Sequence, residues 1–359
     1  MKSTAKLHDM GQSLWLDNIT RTMLADGTLR GYIEELSVTG LTSNPTIFDK
    51  AISGGDAYDE QIAAVSSTGG STEEVFFELA LADLGDATDL FKGVHERTAG
   101  VDGYCSLEVS PKLADETQAT IEQAADLHGR AKRNNLLIKI PGTKAGLPAI
   151  EETIFAGIPV NVTLLFSREH HLAAADAYMK GIERRIEAGL DPDVASVASI
   201  FMSRWDVAVT GEVPDELHNR LGLAIGFRTY AAYRELLDSP RVQRLMNEGA
   251  RPQRLLWAST GTKDPNASDV LYIEGFASPF TVNTMPEPTL HAFADHGEVG
   301  DPVPADGGDC EAVLAEFAAA GIDVDALAER LQEEGKAAFV KSWNDMLESI
   351  ESKRGALTG

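Results

Sequence analysis

A lysine stands in the middle of an apolar run, Leu136-Leu137-Ile138-Lys139-Ile140, which is followed by Pro141-Gly142. An ammonium among core residues is expensive unless it is paired or gives up its proton. Lys139 is therefore either half of an ion pair or a neutral amine ready to attack a carbonyl. Other apolar runs carry polar groups in the same manner. Leu14-Trp15-Leu16 ends on Asp17, and Ser106-Leu107-Glu108-Val109 holds a carboxylate between apolar neighbours. Val160-Asn161-Val162-Thr163-Leu164 places an amide and a hydroxyl two residues apart, on one face of a strand. Ser199 interrupts Val197-Ala198-Ser199-Ile200-Phe201, and Thr42-Ser43-Asn44-Pro45 closes a further run with an amide. A single case is explained by a structural ion pair or a bulge. Six runs with the same habit point to one shared site.

These residue types suit Schiff-base chemistry. A neutral lysine attacks a ketone to give a carbinolamine and then an iminium, which is an electron sink for breaking the neighbouring C–C bond. Asp17 or Glu108 can take the proton that cleavage requires, and the other can move protons through water during dehydration. Asn44, Asn161, Thr163 and Ser199 can hold substrate hydroxyls. An anion-binding end is also legible. Arg254-Leu255-Leu256-Trp257-Ala258 leads into Ser259-Thr260-Gly261-Thr262-Lys263, and Arg204 stands just past the Ser199 run. A hydroxyl-rich, glycine-containing loop with a nearby arginine suits a phosphate. It is not a Walker motif, because no glycine stands five residues before Gly261-Thr262-Lys263.

For such side chains to meet, the runs must be strands of one sheet. Eight candidates follow in order: Gln12–Asp17, Val38–Thr42, Tyr104–Val109, Leu136–Ile140, Pro159–Phe166, Ser196–Met202, Arg254–Ser259 and Thr281–Met285. Helical patterns fill most of the gaps. Ser71-Thr72-Glu73-Glu74 is a capping box, and Leu172, Ala175, Met179, Ile182 and Ile186 form one apolar stripe. Strands alternating with helices mean a parallel sheet with crossovers, an α/β fold. An open doubly wound sheet would carry a glycine-rich turn after its first strand, whereas Asp17-Asn18-Ile19-Thr20 stands there. The expected fold is a single (β/α)8 barrel, with polar residues at the strand ends converging on one mouth. One domain is expected over residues 1–359, with a barrel core at about 12–295 and a helical extension at about 308–355. The stretch Asp295–Asp309, rich in Gly, Pro and Asp, reads as a surface excursion. Phe339, Trp343, Met346 and Ile350 then recur at near-helical spacing and read as helix packed on the barrel.

Composition narrows the partners. With 31 basic and 56 acidic residues the formal charge is −25, which argues against nucleic acid and against an anionic membrane surface. An anionic small substrate then requires a few cations focused at one place. Cys105 and Cys310 form no disulfide framework and no metal-ligand spacing, and no run approaches the ~18 apolar residues of a membrane span. The cytoplasm is the expected location. His170-His171 reads as the solvated first turn of a helix rather than a metal pair.

Taken together, these residues resemble the transaldolase family, specifically its longer bacterial branch. The resemblance runs from about Leu14 to Met285. It is dense at Leu41-Thr42-Ser43-Asn44-Pro45-Thr46, Leu137-Ile138-Lys139-Ile140-Pro141, Asn161-Val162-Thr163-Leu164-Leu165-Phe166-Ser167 and Trp257-Ala258-Ser259-Thr260-Gly261-Thr262-Lys263. It implies a metal-free and cofactor-free enzyme that moves a dihydroxyacetone unit between sugar phosphates, as a monomer or homodimer. The donors it implies are fructose 6-phosphate and sedoheptulose 7-phosphate, and the acceptors erythrose 4-phosphate and glyceraldehyde 3-phosphate. By the resemblance, Lys139 matches the Schiff-base lysine, Asp17 the acid/base on the C4 hydroxyl and Glu108 the carboxylate of a water relay. Asn44, Asn161, Thr163 and Ser199 match residues around the dihydroxyacetone part. Thr163 is counted with the catalytic set and Ser43 with the substrate-binding set. Arg204, Ser259 and Lys263 match the phosphate grip. Two positions depart from the family pattern: Leu107 replaces a threonine of shorter relatives, and Lys263 replaces a phosphate-binding arginine. A lyase that releases dihydroxyacetone and a non-catalytic sugar-phosphate binding barrel are the competing expectations.

Overall fold

All eight apolar runs become strands in the computed structural model, which describes residues 2–358. They are β1 (Ser13–Asp17), β2 (Val38–Thr42), β3 (Cys105–Glu108), β4 (Leu136–Pro141), β5 (Val160–Leu165), β6 (Ser196–Phe201), β7 (Arg254–Ala258) and β8 (Val282–Met285). Every neighbouring pair is parallel, and β8 pairs with β1, so the sheet closes into a barrel in sequence order. Closure explains the composition of the strands. Both faces are covered, one by the barrel interior and one by helices, so β2 to β8 are buried at every position. Gly40 in β2 is required by this packing. A Cβ there would come within 2.6 Å of Trp15 Nε1 and of the Tyr104 carbonyl oxygen.

The crossover helices start where the sequence places their caps. Ser71 caps the helix Thr72–Arg97 with Glu74 returning the bond, and Ser167 caps Arg168–Glu187 by accepting from His170 N at 3.1 Å. One local expectation is overturned in that helix. His171 is not solvated: it is fully buried, edge-on to Tyr233 with ring centroids 5.9 Å apart, and burial pushes its pKa down to about 4. Only His171 turns inward, against Tyr233 of the neighbouring helix Leu221–Asp238; Glu169 is exposed and His170 half-buried, as a first turn facing water would be.

The stretch after the helix Glu287–His296 is irregular up to Cys310, pinned midway by a bond from Val303 N to the Ala277 carbonyl at 2.9 Å. Two helices follow, Cys310–Ala319 and Val324–Thr358. The second, the C-terminal helix, packs on Pro45–Ser53, Asp59–Ser67 and Thr72–Arg97 and touches β5. Trp343 anchors it, fully buried and T-shaped against Phe76 at 5.0 Å between centroids, with Phe77 at 5.7 Å. No described helix is long and apolar enough to cross a membrane.

Trp343 ties the C-terminal helix to the barrel through apolar area alone, so its removal tests whether the two unfold together. Trp343→Ala should cost about 3–5 kcal/mol in urea denaturation, as large-to-small changes at buried aromatics do. The transition should stay single. A loss below about 1 kcal/mol, or a separate early transition, would mean that the helix unfolds independently of the barrel.

Candidate active site

The C-terminal ends of the strands surround a cavity of about 750 Å³. Its wall carries Asp17 from the end of β1, Asn44 after β2, Lys139 from β4, Thr163 from β5, Ser199 from β6, Arg204 after β6, and Ser259 and Lys263 after β7. Eight of the eleven residues singled out in the sequence thus share one space. The other three, Glu108, Ser43 and Asn161, lie immediately behind the wall. Register explains their grouping: Glu108 of β3, Lys139 of β4 and Asn161 of β5 are paired in successive ladders.

Lys139 is buried among the barrel strands with only its tip in the cavity. Its Nζ lies 3.3 Å from Glu108 Oε2 and donates to the Ser43 carbonyl at 3.3 Å. Ser43 is itself held by its hydroxyl, which donates to the Ser106 carbonyl at 2.8 Å. Asn161 of β5 links β3 to β6. Its Nδ2 donates to Ser106 Oγ at 3.0 Å and its Oδ1 accepts from Ser199 Oγ at 2.7 Å. Asp17 Oδ1 accepts from Thr42 Oγ1 at 2.7 Å, and Thr42 in turn meets Thr284 Oγ1 of β8 at 2.7 Å. Asn44 caps the helix Pro45–Ser53 through Ile47 N at 3.0 Å, which fixes its side chain at the rim.

Burial raises both carboxyl groups above their ordinary values. For Asp17 desolvation outweighs the opposing pull of Lys139, the Thr42 hydrogen bond and Lys263. For Glu108 desolvation again dominates, opposed by Lys139 and reinforced slightly by Asp17. The contrast with other buried carboxylates separates a site from core decoration. Asp83 accepts from Arg21 Nε at 2.9 Å, Arg21 Nη2 at 2.8 Å and Tyr58 at 2.8 Å. Asp206 accepts from Leu221 N at 2.9 Å, Gly222 N at 3.1 Å and Tyr272 at 2.5 Å. Glu108, equally buried, has an ion pair but no directed hydrogen-bond donor on either oxygen, and the Thr163 hydroxyl has no protein partner. Buried polar groups without fixed partners are costly. At this position they suit a passing substrate or proton-carrying water.

The far side of the cavity is cationic. Arg204 opens the short helix Ser203–Val209 and lies half-buried with its guanidinium 5.3 Å from the Phe201 ring centre. Burial pulls its pKa below the ordinary value. Ser259 adopts a positive φ of 55°, uncommon for a residue with a Cβ, and its hydroxyl meets Ser203 Oγ at 2.9 Å. Lys263 is exposed on the loop after it. A third cation, Lys50, lines the same cavity and escaped the sequence reading, because on an exposed helical face it looks like any solvated lysine. Among the described residues none of these three makes an ion pair. Phe339, Ala338 and Ser342 of the C-terminal helix complete the wall. The sequence marks Phe339 only as one member of an apolar stripe with Trp343, and Ala338 and Ser342 carry no signal of their own. No described cluster of His, Cys, Asp and Glu has the composition to hold a metal ion.

Comparisons with known proteins identify a family. The family model described as transaldolase/fructose-6-phosphate aldolase matches residues 14–350. The transaldolase of Parafrankia sp. is 44% identical, with 99% of this chain and 99% of that protein covered. The transaldolase of Frankia alni is 43% identical over 98% of this chain and 97% of its own length. That of Saccharopolyspora erythraea is 43% identical over 97% and 96%. With a lysine barrel strand, flanking carboxylates and matches along nearly its whole length, the chain belongs to the transaldolase/fructose-6-phosphate aldolase family.

Proposed function

We propose that this chain is a transaldolase, transferring a dihydroxyacetone unit between sugar phosphates through a Schiff base on Lys139. The observation that carries the proposal is the position of Lys139 Nζ. It is 3.3 Å from Glu108 inside the barrel, in a cavity that Lys50, Arg204 and Lys263 also line. The amine attacks the C2 carbonyl of a ketose phosphate and must be unprotonated to do so. Glu108, raised by burial, is placed to hold the proton and to return it as the carbinolamine loses water. Asp17 then takes the proton of the C4 hydroxyl, the C3–C4 bond breaks into the iminium, and an aldose phosphate leaves. The enamine that remains attacks the aldehyde carbon of the second sugar phosphate, and the steps run in reverse. Asn44, Ser199 and Thr163 line the space for the three-carbon unit, with Ser43 and Asn161 holding the floor rigid behind them. Arg204, Ser259 and Lys263 take the phosphate. The enzyme acts in the cytoplasm, as a monomer or homodimer, and the lysine makes an electron sink without a metal.

Borohydride reduction in the presence of fructose 6-phosphate should attach a reduced three-carbon unit to the peptide containing Lys139. Lys139→Ala should abolish both label and turnover. Label on another lysine would sink the proposal.

The two carboxylates should fail differently. Asp17→Asn keeps the shape and removes the base, so imine should form and then stall, with a loss of about 10²–10⁴-fold in kcat. Glu108→Gln should slow dehydration, so less imine is trapped per unit time. The acid limb of kcat/KM should lie above the ordinary aspartate value of 3.8, because burial raises Asp17. Stability follows with a definite sign. As pH rises, the unfolded chain releases the Asp17 proton first, so the folded state loses stability until the folded pKa is passed. Asp17→Asn should therefore raise Tm at pH 7, and a lowered Tm would show that pairing with Lys139 outweighs desolvation.

Arg204→Ala and Lys263→Ala should weaken kcat/KM for fructose 6-phosphate while sparing unphosphorylated dihydroxyacetone as donor. The half-buried Arg204 should cost about ten- to a hundredfold, and the exposed Lys263 less, because solvent screens it. Equal losses on both donors would assign the residue to the architecture of the mouth instead.

A further inference from the structure

The C-terminal helix contributes more than packing. Phe339 lies with its ring centre 5.5 Å from Lys139 Nζ and 6.3 Å from the Phe201 ring centre, and it lines the cavity. The helix is held at this height by polar bonds that sit at the active-site strands. Gln332 Nε2 donates to the Leu164 carbonyl at 2.8 Å and to the Gly142 carbonyl at 3.3 Å. Leu164 has a positive φ of 59°, rare for a bulky side chain, and the β5–β6 ladder shifts register there. That local turn aims a carbonyl out of the ladder and gives Gln332 its acceptor. Closer to the cavity, Gly335 lets the helix approach: a Cβ would stand 3.0 Å from Leu164 Cδ2 and 3.2 Å from Arg204 Nη1. Thr46 Oγ1 bonds Ser342 Oγ at 2.9 Å on the other side of Phe339.

We infer that Phe339 is a specificity-determining residue that keeps water from the enamine on Lys139, with Gln332 as the residue that positions it. The inference rests on the Schiff-base reading above. After C–C cleavage the enamine has two fates. Its C3 carbon forms a bond to an incoming aldehyde, giving transfer. Alternatively C3 takes a proton from water or an acid, and a water molecule then adds to the resulting iminium carbon. That second course expels the lysine amine and frees dihydroxyacetone. An apolar ring over Nζ lowers the chance that water reaches either carbon and leaves the aldehyde route open from the cationic side.

The test uses the full chain with fructose 6-phosphate, with and without an aldose phosphate acceptor. It measures free dihydroxyacetone against transferred product in Phe339→Ala, Phe339→Leu and Gln332→Ala. Borohydride labelling of Lys139 is followed in each. The ratio of release to transfer should rise about tenfold or more in Phe339→Ala. It should rise less in Phe339→Leu, which restores apolar bulk, and in the same direction in Gln332→Ala, while labelling persists in all three. An unchanged ratio with labelling intact overturns the inference and leaves Phe339 a wall residue. Loss of label in both Phe339 variants overturns it too, since the ring would then be needed to form the imine. Absence of label on the unsubstituted enzyme would instead bring down the Schiff-base reading itself.

Discussion

An ammonium and two carboxylates are buried together at the end of a closed sheet, and much of the molecule is arranged around that fact. Lys139 reaches Glu108 and the Ser43 carbonyl, while Asp17 is held by Thr42 and through it meets Thr284. The cluster therefore spans β1, β2, β3, β4 and β8 and exists only when the barrel is closed. Removing Lys139, the one cation of the cluster, would leave two carboxylates uncompensated in a medium of low polarity, and breaking a buried pair in this way typically costs about 3–5 kcal/mol. Apolar residues of the same volume would pack as well with less risk. The cluster is thus poorly explained as a stabilising device and well explained as chemistry held in place by the barrel.

The opposite end of the barrel shows what a structural solution looks like. Arg254 enters the interior from β7 and donates to Ser13 Oγ at 2.6 Å, the Thr281 carbonyl at 2.8 Å and the Val101 carbonyl at 3.2 Å. Asp102 beside it accepts from Trp15 Nε1 at 2.8 Å and from the Ser13 hydroxyl. Most polar atoms there meet fixed protein partners. At the mouth, Glu108 has only its ion pair with Lys139, and the Thr163 hydroxyl has no protein partner. One scaffold therefore has an end where charged groups are tied by several directed hydrogen bonds, with Arg254 Nε and Gln253 Oε1 left over, and an end where Glu108 keeps only its ion pair.

The difference between these ends also decides what could be read from the sequence. Strands buried on both faces appear as continuous apolar runs, so a polar residue within one is visible at once. Lys139, Glu108, Asn161 and Ser199 were legible for that reason, and the run order made a closed parallel sheet the natural arrangement. Depth was not legible. That Glu108 and Asn161 sit behind the cavity wall follows from register and shear, which no local pattern encodes. Ser43 helps to hold Lys139 through its backbone carbonyl, a group every residue has. His171 looked solvated because the first turn of a helix usually is, and only the placement of a neighbouring helix buries it. Phe339 was hidden in the plainest way, as one apolar member of a helical stripe whose other members are core.

Charge brings the last constraint. The chain carries 56 acidic residues against 31 basic ones, so an anionic substrate meets repulsion at long range. That repulsion is screened within about 8–10 Å at physiological salt. What remains at shorter range is set by single side chains, and here Lys50, Arg204 and Lys263 face one cavity with no described carboxylate at ion-pair distance, although Glu334 acts on Arg204 and Asp17 on Lys263 from farther away. Elsewhere many arginines are neutralised at the surface, as Arg241 is by Asp176 and Glu183 and Arg184 by Glu151 and Glu152. Had Arg204 been paired in the same way, a phosphate would first have to displace a carboxylate, and most of the binding energy would be lost to that exchange. Its guanidinium is kept near the Phe201 ring instead, beside a helix that lacks a side chain at Gly335. An aromatic face favours a cation without competing for the donors it offers to an anion. The acidic surface and the cationic pocket are therefore compatible: repulsion at long range leaves room for an anion to be held by cations that act at short range.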